Sequence, residues 1–419
     1  MLIAFIRLVA LALAAALPVR AAEPLSFDQA LRIAEDRSRQ LPAQDAAASA
    51  AREMAIAAGQ RPDPTLKAGV NNLPIDGPDR FSVTRDFMTM RSIGVMQDLT
   101  RSGKLKARSA RFEREAEVAE AGRDLALANL QRDTAAAWLD RYYQERMRDV
   151  LVSQRDEARL QIEAADSAYR GGRGSQADAF AARAAVALIE DRMAQSERQI
   201  ATARTQLSRW IGPPAGDPLA PPPALDAVSL RPDDLETRLE HHPQIAVLHR
   251  REELAQAEAE VARTNKQSDV SVEVMYSQRG RAYSNMISVN LAIPLQWDQK
   301  NRQDRELAAK LAMVEQARAE REEASRMHLA EALAMLQEWQ SNRERLAHYD
   351  STLVPLSTER TRAALAAYRG GGPLAAVLEA RRMEIDTRMD RLRLEMDTAR
   401  LWAQINYLVP AGPAAPGSR

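Results

Sequence analysis

The chain has 419 residues, and its 58 basic and 58 acidic side chains give a formal net charge of zero at pH 7. This balance gives no reason to expect a nucleic-acid partner, which requires a basic surface. Without cysteine there are no disulfides, no thiolate metal sites and no lipidated N-terminal cysteine. Aromatic residues make up only 5%, and a composition dominated by Ala, Arg, Glu, Gln and Leu is typical of long helices or coiled coils.

The first 21 residues are predicted to be a secretory signal peptide. Arg7 precedes an apolar run over 8–17, and Val19-Arg20-Ala21 fits a cleavage site, so the mature chain is expected to begin near Ala22. The alternative is a buried N-terminal helix. The apolar run is too short to span a bilayer, and no other apolar run is long enough, so any membrane insertion is expected to use strands.

The first half of the mature chain predicts helices at both ends with a pair of strands between them. Ser26 is predicted to cap a helix, with Gln29 three residues on, and Pro42 is expected to interrupt it. A long stretch without proline indicates a helix on the order of 100 Å long. The predicted elements are helical sequence from Ser26 to Gln60, strands Thr65–Leu73 and Phe81–Leu99, a long helix Lys104–Arg170 and a shorter helix Ser175–Trp210.

The second half repeats this order after a proline-rich linker at 212–227. His242-Pro243 corresponds to Leu41-Pro42 of the first half. Val270, Val272 and Val274 alternate with other residues and so are predicted to share one face of a strand. The predicted elements are a helix opening at Asp233-Asp234-Leu235 and running to Asn265, strands 269–278 and 285–297, a long helix Lys300–Tyr368 that contains Pro355, and a shorter helix ending near Leu408 and Pro410.

This order of elements predicts a tandem duplication. The boundaries are a signal peptide at 1–21, a first repeat at 22–218, a second repeat at 219–410 and a C-terminal tail at 411–419. The fold class is mainly α with four strands per chain. An open four-stranded sheet cannot satisfy its edges in hydrocarbon, and closed barrels need about eight strands or more, so several chains are expected to pool their strands.

Each long helix ends at adjacent glycines. Residues 168–172 and 367–371 both read Ala-Tyr-Arg-Gly-Gly. Glycine is unfavourable inside a helix but suits a reversal between two helices, so both segments are predicted to be the turns of helical hairpins.

Across essentially the whole mature chain, these features resemble the TolC family of outer-membrane efflux channels. The resemblance rests on the duplicated order, on the openings at Leu41-Pro42 and His242-Pro243, on GVMQDLTRSGKLKAR at 94–108, and on YRGGRGSQADAFAAR and YRGGGPLAAVLEAR at the turns. It implies a homotrimer with a twelve-stranded barrel in the outer membrane and a helical coiled-coil tunnel in the periplasm. Within the family, residues 71–97 are most similar to CzcC-like components of heavy-metal RND exporters.

The family implies that the turns face the inner membrane, where a periplasmic adaptor and an inner-membrane RND pump dock. The predicted docking residues are Tyr169, Arg170, Gly171, Gly172, Gly174 and Asp178 in the first turn, with Arg173 and Ser175 beside them, and Tyr368, Arg369, Gly370 and Gly371 in the second. The two tyrosines could pack between helices or form hydrogen bonds across them.

No catalytic motif is present, so neither an enzyme nor a cofactor is expected. The histidines are scattered along helices, which argues against a zinc site: His241, His242, His249, His328 and His348. Methionines in the strand regions could hold Cu(I) but are more simply filler: Met88, Met90, Met96, Met275 and Met286. The resemblance implies a passive efflux duct, with divalent heavy-metal cations as the expected cargo and drugs or secreted substrates as the alternative cargo. A periplasmic coiled-coil scaffold is the alternative class.

Overall fold

The computed structural model describes residues 23–230 and 242–408. The predicted signal peptide, the helix opening at 233–235, His241, Pro410 and the tail at 411–419 lie outside these ranges. Among the described residues, no helix has the length and apolar character needed to span a membrane.

The first repeat contains four helices. Helix α1 begins after Ser26, whose hydroxyl accepts the Gln29 N–H at 3.1 Å while the Gln29 side chain accepts the Ser26 N–H at 2.9 Å. The chain breaks at residues 38–39 and not at Pro42, which lies in the first turn of α2, where a missing N–H loses no helical hydrogen bond. The helices are α1 Phe27–Arg37, α2 Gln40–Ala58, α3 Ser102–Arg170 and α4 Gln176–Ile211.

The prediction of one uninterrupted long helix is confirmed for α3, which has 69 residues. Gly122 inside it lies against α2. A β-carbon at Gly122 would come 3.1 Å from the Gln44 side-chain oxygen, so glycine permits this close approach.

The second repeat departs from prediction in its long helix. The stretch predicted to be continuous is divided by a five-residue π turn at Tyr349–Leu353. Pro355 lies two residues after this turn. Because its nitrogen carries no hydrogen and its ring crowds the preceding turn, the helix widens there. The helices are α5 Pro243–Thr264, α6 Gln303–His348, α7 Val354–Arg369 and α8 Leu374–Asn406.

Four strands form one antiparallel sheet in the order β1-β2-β3-β4. Strand β2 of the first repeat pairs with β3 of the second, so both repeats are needed to form the sheet. The strands are β1 Thr65–Asn71, β2 Met90–Leu99, β3 Val270–Gln278 and β4 Met286–Ala292.

The predicted start of the second strand at Phe81 is wrong, because local turns occupy residues 81–89. The Ser82 hydroxyl accepts the Arg85 N–H at 3.0 Å, and the Asp86 carboxylate accepts the Met88 N–H at 2.8 Å. These side-chain bonds replace the ladder that β-branched residues in this stretch would favour.

The chain divides into two compact units, each drawing on both repeats. Over the described residues, the first comprises 23–38, 127–230 and 331–408, and the second comprises 39–126 and 242–330. An edge-to-face contact between Phe27 and Trp138, with ring centroids 5.5 Å apart, lies in the core of the first unit. In the second unit, two ion pairs join helices: Lys310 Nζ lies 2.7 Å from the Glu258 carboxylate, and Arg321 Nε lies 2.8 Å from the Glu252 carboxylate.

The linker between the repeats is fixed within the first unit. Arg141 is almost fully buried and donates to the carbonyl oxygens of Ala215 at 2.6 Å and Asp217 at 2.7 Å. Leu25 bridges to Leu219 in a single parallel β-pair. A proline-rich segment with few internal hydrogen bonds is therefore anchored by partners elsewhere in the unit.

Candidate functional site

The first glycine turn ends α3 with a Schellman motif. Gly172 adopts the left-handed conformation at φ +67°. Its N–H donates to the Tyr169 carbonyl at 3.0 Å, and the Arg173 N–H donates to the Ala168 carbonyl at 2.9 Å. These two bonds satisfy carbonyls that the helix end leaves open.

The second turn repeats this geometry at the end of α7. Gly371 has φ +95°, and its N–H donates to the Tyr368 carbonyl at 3.0 Å. The Gly372 N–H donates to the Ala367 carbonyl at 2.9 Å. The prediction of two equivalent helix-ending turns is confirmed in its backbone hydrogen bonds.

The glycines of the two turns have different tasks. Gly171 and Gly370 meet only ordinary contacts, 3.4 Å or more from an added β-carbon, and neither has positive φ. A β-carbon at Gly372 would come 2.9 Å from the Ala367 carbonyl oxygen, and one at Gly174 would come 3.1 Å from the Ala168 β-carbon. Sequence reasoning missed Gly372, although its place after the repeated Ala-Tyr-Arg-Gly-Gly could have identified it.

A capping box starts the helix after the first turn. The Ser175 hydroxyl donates to the Asp178 carboxylate at 2.7 Å, the Ser175 N–H donates to the same carboxylate at 3.0 Å, and the Asp178 N–H lies 3.1 Å from the hydroxyl oxygen. These bonds stabilise the ionised carboxylate and lower the pKa of Asp178 below its usual value. In the second turn Pro373 occupies the same position without a side-chain cap.

One small apolar cluster packs the two turns together. Its buried residues come from both hairpins: Ala165, Ala179, Ala182, Leu374 and Val377. Tyr368 packs against this cluster, whereas Tyr169 is 48% exposed. Of the two roles expected for the tyrosines, packing therefore describes Tyr368.

The arginines of the turns extend outward. Arg170, Arg173 and Arg369 are exposed, and none has a carboxylate within 4 Å in the described parts of the chain. Arg170 donates to the Asp166 carbonyl oxygen at 3.3 Å. The joined turns thus present a basic, solvent-facing end.

The sheet of the second unit has two chemically distinct faces. Cross-strand pairing aligns Leu66, Val95, Val274 and Val289 in one row, and the next row contains Ala68, Ile93, Tyr276 and Ile287. This face is exposed to an unusual degree for aliphatic side chains, with Ile287 at 75% and Val289 at 64%. Large exposed apolar patches mark contact with a partner or with lipid.

The opposite face is polar and less accessible. Ser92 and Ser277 pair there and are buried, and Lys67 forms an ion pair with Glu273 at 3.2 Å. In the central strands β2 and β3, an exposed apolar face and a largely covered polar face reverse the arrangement of a water-soluble sheet and match that of membrane strands.

The predicted methionines divide between this sheet and a neighbouring loop. Met88 lies in the loop before β2, which corrects its assignment to a strand. The other predicted methionines lie within strands on the polar face: Met90, Met96, Met275 and Met286.

Of the described histidines, His242 and His328 are in contact with each other, and His249 and His348 lie elsewhere. His242 caps α5 by accepting the Gln244 N–H at Nδ1 (3.2 Å), as predicted for a helix-entry residue, and its ring stacks on His328 with centroids 4.8 Å apart. His249 lies 3.7 Å from Glu253, and His348 ends α6. No group of three or more His, Asp or Glu suited to a metal occurs in the described ranges.

Comparison with known proteins gives the fold. Neither a protein-family model nor a curated protein sequence matches the chain. Among solved structures, the outer-membrane channel OprN is 18% identical with a TM-score of 0.76, over 92% of this chain and 90% of that one. The Vibrio cholerae outer-membrane protein VceC is 18% identical with a TM-score of 0.73, over 91% and 95%.

CusC, whose structures describe folding and transmembrane channel formation, is 16% identical with a TM-score of 0.73, over 92% of both chains. These likenesses extend over nearly the whole chain. The chain has the fold of the outer-membrane channels, mainly helical with a four-stranded β portion, as its resemblance to the TolC family implies.

Proposed function

We propose that this protein is the outer-membrane exit duct of a tripartite RND-type efflux system, working as a passive conduit without catalysis of its own. The observation that carries the proposal is the sheet, whose aliphatic face is exposed while the polar side chains of its two central strands, β2 and β3, are largely covered. In water such a surface is unfavourable by about 25 cal/mol per Å² of apolar area, but in lipid it is the expected arrangement. The fold of the outer-membrane channels supports the same conclusion.

The four strands also support an oligomer of identical chains. Strands β1 and β4 each have one neighbour in the sheet, so their outer edges offer unpaired backbone groups. In hydrocarbon those groups must pair, and symmetric closure of three chains gives twelve strands. The choice of three chains, and of a twelve-stranded barrel over a periplasmic helical tunnel, rests on the resemblance to the TolC family, because two chains would already supply eight strands.

We place the docking of a periplasmic adaptor and an inner-membrane pump at the two glycine turns. Their paired Schellman motifs fix the backbone, and their exposed arginines leave charged groups free for a partner. Docking of the adaptor and pump is proposed to open the duct there. The side chains proposed to contact the partner are those of the two turns, Tyr169 to Asp178 and Tyr368 to Gly371.

Divalent heavy-metal cations are the proposed cargo. This finer assignment rests on the similarity of residues 71–97 to CzcC-like components, and drugs or secreted substrates are the competing cargo. Deletion of the gene should raise sensitivity to zinc, cobalt or cadmium without changing their uptake into the cytoplasm. Unchanged resistance, with no substitute channel present, would refute the duct.

A matched pair of variants separates the duct from a periplasmic scaffold. Val289 and Ser288 are neighbours on opposite faces of β4, and both are exposed. Val289→Arg would place a charge on the proposed lipid face, at a cost of about 2–4 kcal/mol near the bilayer midplane. Ser288→Arg would place the same charge on the polar face.

We expect Val289→Arg to lose detergent-dependent extraction from outer membranes and its heat-sensitive trimer band, and Ser288→Arg to keep both. A water-soluble scaffold would tolerate the two substitutions equally and would be released without detergent.

A further inference from the structure

The strands separate two kinds of apolar side chain that sequence patterns usually treat alike. Within the four strands, every Leu, Ile, Val and Tyr lies on the exposed apolar face, and every Met lies on the polar face. The methionines share that face with Lys67, Glu273 and Asn290. If the methionines only filled space as aliphatic side chains do, we would expect to find them on the apolar face with Leu, Ile and Val.

The register places three of these methionines in a diagonal line. Met96 pairs with Glu273, and Met275 lies two residues further along β3. Met275 in turn pairs with Ser288, and Met286 lies two residues from it along β4. Diagonal neighbours of this kind have α-carbons about 7–8 Å apart, within reach of two long side chains.

The chemistry of a thioether differs from that of an alkyl group in one respect that matters here. Sulfur is a soft, neutral ligand that favours Cu(I) and similar soft cations over Mg²⁺, Ca²⁺ or Mn²⁺, which prefer oxygen. A thioether also stays a ligand at any pH, because it carries no proton to lose. The line therefore offers a ligand set that the scattered histidines do not provide.

We propose that Met96, Met275 and Met286 form a line of weak thioether sites for soft monovalent cations, Cu(I) and Ag(I), on the inner face of the duct. This inference rests on the proposed function for the inner face of the duct, and it adds soft monovalent cations to the divalent cargo proposed there. Neighbouring methionines on different strands share or exchange one ion, so that each site holds it only briefly.

Weak and repeated sites suit a conduit. An ion must bind well enough to enter and loosely enough to leave, and several equivalent sites in sequence achieve both. Lys67 forms an ion pair with the Glu273 carboxylate at 3.2 Å, and the Ser271 hydroxyl donates to Asp98, so both carboxylates of the strands on this face already have partners and compete less for divalent ions. The face is thus arranged to favour soft over hard cations.

The direct test is a titration of the purified full-length protein in detergent with Ag⁺, a redox-inert substitute for Cu(I). With methionine methyl groups labelled with carbon-13, the methyl resonances of Met96, Met275 and Met286 should shift with Ag⁺ and stay fixed with Zn²⁺. Absence of Ag⁺-dependent shifts at all three methionines would overturn the proposal, as would equal shifts with Zn²⁺.

The conservative variant replaces all three methionines by leucine, which keeps an apolar side chain of similar volume and removes the sulfur. The matched control replaces three exposed helical methionines, Met313, Met327 and Met383, in the same way. In cells we expect the strand variant alone to lose resistance to Ag⁺ and Cu(I) while resistance to zinc persists.

The outcomes separate this inference from the function on which it rests. Full Ag⁺ resistance in the strand variant contradicts the thioether sites but leaves the duct intact. Loss of drug resistance alone in that variant would mean that the methionines contact apolar cargo, and it too contradicts the inference. If deletion of the gene affects no substrate, the duct itself fails, whatever the titration shows.

Discussion

The left-handed glycine of the first turn offers the sharpest test of the backbone conformation proposed to present the docking residues. Gly172 has φ +67°, and an added β-carbon there would meet nothing within 4 Å. The effect of Gly172→Ala is therefore purely conformational and should cost about 1–2 kcal/mol, the penalty for a side chain in this region. That cost shifts the local opening equilibrium of the turn by roughly 5- to 30-fold.

Tryptic cleavage after Arg173 measures this opening in the folded protein. Arg173 is exposed and lies in the turn, and cleavage follows the open population when reclosing is fast. We expect Gly172→Ala to accelerate cleavage by that factor. Gly171→Ala makes the same chemical change one residue earlier, where the nearest atom is 3.4 Å away, and should not accelerate cleavage. Equal rates for the two variants would refute the assignment of the Schellman turn.

Three further predictions concern other parts of the chain. Arg141→Met should lower the thermal midpoint because two linker carbonyls lose a buried donor, at about 1–3 kcal/mol each, whereas Met at the more exposed Arg148 should have little effect. Gly94→Ala should weaken the heat-sensitive trimer band because its β-carbon would lie 2.6 Å from a carbonyl oxygen of β3, while Gly69→Ala meets nothing within 4 Å and should behave as wild type. Burial, followed by two nearby carboxylates, raises the pKa of Tyr407 from 10.0 to about 12, so its contribution to stability is complete below pH 10 and is lost as the pH rises through about 12. Phenolate formation, followed by near-ultraviolet absorbance as the pH is raised, should show a step near pH 12 that is missing in Tyr407→Phe. Identical titration curves for the wild type and this variant would contradict the prediction.

The helices and their turns were largely predictable because their determinants are local. Ser26 and Ser175 cap helices through bonds to residues three positions on, and the two glycine pairs end helices in the same way. What sequence could not assign was which glycine of each pair is indispensable. That depends on the last helical residue, which places Gly172 and Gly371, not Gly171 and Gly370, in the left-handed position.

The start of the second strand and the interruption of the second long helix were predicted wrongly because neither is determined by the periodicity of apolar residues. Residues 81–89 have strand-like composition, but Ser82 and Asp86 bind nearby backbone N–H groups and form turns instead. Pro355 was visible in the sequence, yet a proline can kink, end or widen a helix. The π turn at Tyr349–Leu353 is the outcome that packing selects here.

Predicting which side chains share a face of the four-stranded sheet requires the register between its strands. Val270, Val272 and Val274 were correctly predicted to share a face, but alternation within one strand does not say which faces of four strands coincide. Pairing shows that the methionines of β2, β3 and β4 meet on one side. This information is carried by contacts distant in sequence, which a single-strand pattern does not contain.

The pairing of β2 with β3 also has a consequence for how the chain folds. The central ladder of the sheet joins strands separated by α3, α4, the linker and α5, so it cannot form until most of the polypeptide has been made. Contacts so distant in sequence slow folding. Until they form, β2 pairs only with β1, so its other edge and the apolar face of this hairpin are exposed to other chains, which favours aggregation. Newly made protein is therefore expected to need a holding chaperone, and a fragment that ends before β3 should aggregate even though its helices are intact.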